Sequence, residues 1–123
     1  MEIDYDKREQ LSRIQSQIIP GETLYAVYDM KGGGTGFIGI TDVRLIFYDQ
    51  SFVSRQKAMV SLPYTKITAV GSEDSGGVLF KSGTLFVVAG SREWSFEFRG
   101  QDKAHKAYNL IMTNLLQTEA KGI

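Results

Sequence analysis

Between Gly34 and Tyr64 the chain spells out a hairpin and its continuation. The run Gly-Thr-Gly-Phe-Ile-Gly-Ile-Thr is followed by Asp42, then by Val-Arg-Leu-Ile-Phe-Tyr, and later by Ser-Leu-Pro-Tyr-Thr-Lys-Ile. Two β-rich runs with little more than Asp42 between them must fold back on each other as a tight antiparallel hairpin. A sheet that starts this way has to find neighbours for both of its edges, and this limits the chain to a few closed β architectures.

The same period of two recurs along the sequence. Strands are predicted over 24–30, 37–41, 43–48, 58–62, 66–70, 85–89 and 93–99. The last is the clearest: Trp94, Phe96 and Phe98 point one way, while Glu93, Ser95, Glu97 and Arg99 point the other. Pro63 ends the fourth strand because proline cannot donate to a ladder. The stretch 72–77 reads as an acidic Gly-Ser loop, and Val78, Leu79 and Phe80 read either as part of the sixth strand or as an apolar flap before it. Two segments carry the helical period instead. Over 4–18, Leu11, Ile14 and Ile18 share a face, Asp4 or Asp6 is the expected N-cap, and Pro20-Gly21 ends the run. This face is expected to lie against the sheet. Over 102–118, Ala104, Ala107, Tyr108, Ile111, Met112, Leu115 and Leu116 form a broad apolar stripe. Seven antiparallel strands and one closing amphipathic helix are best satisfied by two near-orthogonal sheets forming a barrel, with the helix plugging one end. The Trp94/Phe96/Phe98 face then supplies much of the core.

At 123 residues the chain is expected to be one globular unit, with 1–20 as an N-terminal helix and 21–120 as the barrel domain. Lys plus Arg and Asp plus Glu number 14 each, which argues against a nucleic-acid binder. Without cysteine there is no disulfide framework, zinc–thiolate site or cysteine nucleophile. No apolar run approaches the roughly 20 residues that span a bilayer. The polar, acidic N-terminus is unlike a signal peptide, so a cytoplasmic location is expected.

The order of elements and their residues together resemble the pleckstrin-homology (PH)-like superfold, and in particular the bacterial PH-domain families. The matching features are Pro20-Gly21-Glu22, the run from Gly39 to Tyr48 (Gly-Ile-Thr-Asp-Val-Arg-Leu-Ile-Phe-Tyr), Leu62-Pro63-Tyr64-Thr65-Lys66-Ile67, Gly83-Thr84-Leu85, the Trp94–Phe98 strand and the closing helix. The resemblance covers roughly 21–116. It implies a mainly β, PH-like barrel that binds or scaffolds without catalysis and needs no cofactor. Relatives of this fold bind phosphoinositide headgroups, bind peptides, or self-associate, and fold alone does not choose among these. The first hairpin loop, 30–36, carries the single lysine Lys31 where eukaryotic phosphoinositide binders carry several basic residues.

Local motifs add no chemistry of their own. Gly34-Thr35-Gly36-Phe37-Ile38-Gly39 fits G-x-G-x-x-G, but it leads into a strand and not a helix, so the glycines serve turning and crowding. The run 76–82 fails the phosphate-loop spacing, since Phe80 precedes Lys81. His105 has no second histidine or cysteine to share a metal and is expected at the surface. Asp4-x-Asp6 lacks the glycine and distal glutamate of a calcium loop. With no cysteine, one histidine and no motif anchoring a nucleophile or paired carboxylates, the chain is expected not to be an enzyme.

Two surfaces are therefore expected to matter. If the PH topology holds, Lys31, Arg55, Lys57 and Arg92 gather at the open end of the barrel as a candidate site for a phosphate headgroup or a weakly bound anionic lipid. Phe52, Val53, Val78, Leu79 and Phe80 are the candidate apolar surface for a protein partner or a second copy. Protein binding, self-association included, is the favoured reading.

Overall fold

The computed structural model describes residues 2–31, 36–49, 58–76 and 81–121, and at 49, 58, 74–76, 81 and 101 the backbone alone. In chain order the elements are β1 (Asp4–Tyr5), α1 (Arg8–Gln15), β2 (Leu24–Asp29), β3 (Phe37–Thr41), β4 (Arg44–Asp49), β5 (Ala58–Pro63), a 3₁₀ turn (Tyr64–Lys66), β6 (Ile67–Gly76), β7 (Lys81–Ala89), β8 (Arg92–Arg99) and α2 (Gln101–Lys121). One sheet has the order β1-β2-β3-β4-β5 and the other β6-β7-β8.

The seven expected strands are all present, as is the closing helix. An eighth strand, β1, adds two residues parallel to β2, with Asp4 beside Ala26 and Tyr5 beside Val27. This corrects the expectation of a helix from residue 4. The Asp4 carboxylate accepts the Tyr28 hydroxyl at 2.7 Å and Asp6 accepts the Asp29 amide at 2.9 Å. Both side chains are drawn to the edge of β2, and neither caps α1. The helix starts at Arg8 behind an uncapped Lys7 and ends at Gln15. The second correction concerns 72–77. β6 continues to Gly76, with Ser72 opposite Leu85 and Glu73 opposite Thr84. Polar and acidic residues suit this position because β6 is an edge strand, where charge discourages further pairing.

The main core lies between the sheets and under α2. Tyr28, Ile38, Ile40, Leu45 and Phe47 from the larger sheet meet Leu85, Val87, Phe96 and Phe98 from the smaller one, and Ala104, Ala107, Ile111 and Leu115 of α2 close it. Phe47 is the junction, with its ring 5.0 Å from Trp94 and 4.8 Å from Phe96, both edge-on.

A second core lies on the outer face of the larger sheet, where Ile14 of α1 packs against Leu24, Val27, Phe37 and Ile46. The central strand β3 is consequently buried on both faces, which is why all five of its residues are buried. Gly39 is the seat for the helix, because a Cβ there would lie 2.6 Å from Cγ2 of Ile14. The α1 face therefore lies against the barrel, as its periodicity implied.

This contact yields the first prediction. Ile14 is fully buried, so Ile14→Ala should cost ~2–5 kcal/mol and Gly39→Ala ~1–3 kcal/mol in urea unfolding. The double variant should lose clearly less than the sum, because the smaller side chain admits the new methyl group. Full additivity would show that the two residues do not share one contact.

Candidate functional site

An arginine in the otherwise apolar run of β4 needs a partner. Arg44 finds it in Glu22, in the turn leading to β2. Its Nε donates to Glu22 Oε2 at 2.7 Å and its Nη2 to Oε1 at 2.8 Å. The Glu22 side chain is 1% exposed and that of Arg44 19%. Nη2 also donates to the Gln17 carbonyl and Nη1 to the Ser61 hydroxyl. The hydrogen bond from Arg44 holds the Glu22 carboxyl below its ordinary value, and the same bond raises Arg44.

The neighbouring motif residues complete this end of the barrel. Asp42 and Thr23 exchange two bonds, with the Thr23 amide donating to Asp42 Oδ1 and the Asp42 amide to the Thr23 carbonyl. Thr41 Oγ1 accepts the amides of Val43 and Arg44. The Tyr64 amide donates to the Val43 carbonyl, and its hydroxyl to the Thr41 carbonyl at 2.6 Å. Burial, with the nearby Asp42 charge, pushes the Tyr64 phenol well up. Three of the segments that carry the family resemblance, around Glu22, Thr41–Arg44 and Tyr64, thus meet in one hydrogen-bonded junction. The pairing of Glu22 with Arg44 was missed in the sequence, although a charge within an apolar strand is the signal that a partner is required.

A second polar cluster ties the N-terminal segment down. Asp29 Oδ1 accepts the Gln10 amide at 2.8 Å and lies 3.6 Å from Lys7 Nζ, while Oδ2 accepts Arg99 at 2.6 Å. Asp6 is 2.6 Å from Lys103 Nζ, which also sits 4.5 Å from the Tyr28 ring centre. Burial, with the hydrogen bond to Asp4, raises the Tyr28 phenol.

Beside the first junction lies a cleft formed by two adjoining cavities of about 250 and 380 Å³ that share Tyr25, Asn114 and Gln117. One wall is α2, which contributes Asn109, Thr113 and Thr118 as well; the other is Tyr25, the Asp42-Val43 turn and Thr65. Tyr25 reaches this place because β2 bulges there: Leu24 pairs with Thr41 and Ala26 with Ile40, leaving Tyr25 as the extra residue.

Of the expected headgroup residues, Lys31 is exposed and its amide donates to the Glu97 carbonyl at 2.7 Å. The Arg92 guanidinium lies over the Trp94 ring, 3.7 Å from its centre. Glu97 is five residues along β8 from Arg92, about 17 Å of strand. Arg55 and Lys57 lie outside the described residues, as do Phe52, Val53, Val78, Leu79 and Phe80. His105 is exposed. Among the described residues no group of three or more His, Cys, Asp or Glu is placed to hold a metal, and no helix is long and apolar enough to cross a membrane.

Comparison with known proteins places this geometry. A family model described as "Bacterial PH domain" matches residues 1–115. The chain is 26% identical over 87 residues to the uncharacterized protein YozO of Bacillus subtilis (strain 168), covering 70% of this chain and 72% of that protein. Its fold is similar to the crystal structure of a pleckstrin homology domain from Shewanella amazonensis SB2B, with a TM-score of 0.61 at 19% identity, covering 89% of this chain and 88% of that one. A DUF1696 family protein with a pleckstrin-homology domain from Shewanella loihica PV-4 superposes with a TM-score of 0.59 at 16% identity, over 92% of this chain and 96% of that one.

The ion pair sets the response to acid. The folded pKa of Glu22 lies below its ordinary 4.5, so its contribution is full above that value and is lost as pH falls through the lower folded pKa. Glu22→Gln should destabilise the protein at neutral pH by about 1–3 kcal/mol. The gap to the native chain should narrow below pH ~4 in denaturant titrations; a constant gap down to acid pH would mean that the charge of Glu22 contributes nothing.

Proposed function

As the chain belongs to the bacterial PH domain family, we propose that it is a non-catalytic binding module whose partner is a protein, a second copy of the chain included. The observation that carries this reading is the neutrality of the cleft beside α2. Its polar groups are carboxamides and hydroxyls, with one carboxylate, Asp42, and one ammonium, Lys121, both lining the larger cavity. An anionic headgroup is held by converging cations or backbone amides, whereas a protein surface is matched by mixed donors and acceptors at low net charge. Lys31 and Arg92, at opposite ends of β8, favour the same choice.

Two measurements test the proposal. The first is light scattering behind a sizing column over a range of concentrations, together with recovery of stoichiometric partners on the immobilised chain. The expected result is a defined mass above the 13.7 kDa monomer or a retained protein at fixed ratio. The second is co-sedimentation with anionic vesicles. Pelleting that fades as salt rises, with neither of the first two results, would overturn protein binding in favour of a headgroup.

A further inference from the structure

Helix α2 has two useful faces, and only one is used by the core. Ala104, Ala107, Ile111 and Leu115 are buried under the sheets. On another face, Asn109, Thr113, Gln117 and Lys121 follow one another at intervals of four, so they form a continuous stripe. The stripe lines the cleft opposite Tyr25 and the Asp42-Val43 turn. Asn114 stands beside it, 5% exposed, with its Nδ2 donating to the Leu110 carbonyl at 2.8 Å.

From this arrangement we propose that the cleft between α2 and the Tyr25 bulge is a docking groove for a short, extended, uncharged peptide segment of a partner protein. The inference rests on the protein-binding reading above and adds its site and chemistry. Asn and Gln carboxamides offer the same donors and acceptors as a peptide group, so they can pair with a main chain whatever its sequence. The stripe from Asn109 to Lys121 is about 18 Å long, the length of roughly five residues of extended chain. Val43, which is 45% exposed at the cleft, and the half-buried Leu110 give one apolar side chain of the segment a place to rest. Asp42, whose Oδ1 accepts the Thr23 amide, and Lys121 bring opposite charges to the same cavity, so the groove carries no net charge toward a ligand. The bulge supplies the remaining wall by turning Tyr25 out of the alternation of β2.

The test uses the full chain and a phage-displayed library of random heptapeptides. Selected peptides should be poor in charge and should shift the amide resonances of Tyr25, Thr113 and Gln117 on titration. Thr113→Arg and Gln117→Arg change exposed residues, so folding should survive, as circular dichroism would verify. Each should weaken the selected peptides about tenfold. Glu119→Arg, on the other flank of the helix and also exposed, should leave affinity within about twofold by the same measure. The proposal is overturned if no peptide is enriched, or if the enriched peptides bind the two groove variants as well as the native chain. It is also overturned if a glycan array, screened in parallel, yields a ligand that the same two variants lose. In any of these cases a partner protein retained equally by the native chain and both variants would leave the broader protein-binding reading standing, at another surface. Absence of any retained protein or self-association would remove that reading as well.

Discussion

The bidentate pair between Glu22 and Arg44 is the interaction around which this end of the barrel is organised. A largely buried guanidinium at the start of an apolar strand would be costly alone, and a carboxylate 1% exposed would be costlier. Together they satisfy each other and reach further. Arg44 also holds the Gln17 carbonyl, at the exit of α1, and Ser61 on β5. One side chain therefore connects the incoming segment, the central hairpin and the neighbouring strand. Around it, the Thr23–Asp42 exchange and the Tyr64–Thr41 bond fix where β2 enters and where β5 leaves. A slip of one residue in any of these strands would break several charge-assisted bonds at once.

With that end held, the larger sheet can be buried on both faces. Its inner face meets β8 through Phe47, and its outer face receives Ile14 over the bare backbone of Gly39. Helix α1 is only eight residues long and lacks a side-chain N-cap. A helix of that length is marginal alone, so its stability comes from this contact and from the polar ties at Asp29 and Asp6. Lys7 and Arg99 in these ties are exposed and Lys103 is half-buried, so the ties are weaker than the buried pair at the junction. The N-terminal segment is thus the more easily released part of the fold, and the motif junction the more firmly held.

The junction bears on the architecture of the barrel. The residues behind the family resemblance, from Glu22 through Thr41, Asp42 and Arg44 to Tyr64, act on the fold itself. Membership of the bacterial PH domain family therefore carries the architecture with it, and the fold alone does not fix what is bound.

Much of this was legible in the residues. The period of two located the strands, the Trp94/Phe96/Phe98 face identified the core, and the stripes of Leu11, Ile14 and Ile18 and of 102–118 located both helices, because alternation and helical spacing are local properties. Three things were not legible. Asp4 and Asp6 looked like caps because capping is a local expectation, but Tyr28 and the Asp29 amide, more than twenty residues away, compete for them and win. The acidic run after Gly71 looked like a loop because an edge strand need not bury a face, and only pairing with β7 reveals it. The cleft is assembled from β2, the β3–β4 turn, the 3₁₀ turn and α2, parts far apart in sequence. The sequence by itself determined the elements, the core faces and the kind of closed β architecture, since these follow from backbone period and hydrophobicity. Only the tertiary structure decided which charges pair, why Gly39 must be bare and where a groove opens, since each of these depends on atoms that meet only after the chain has folded.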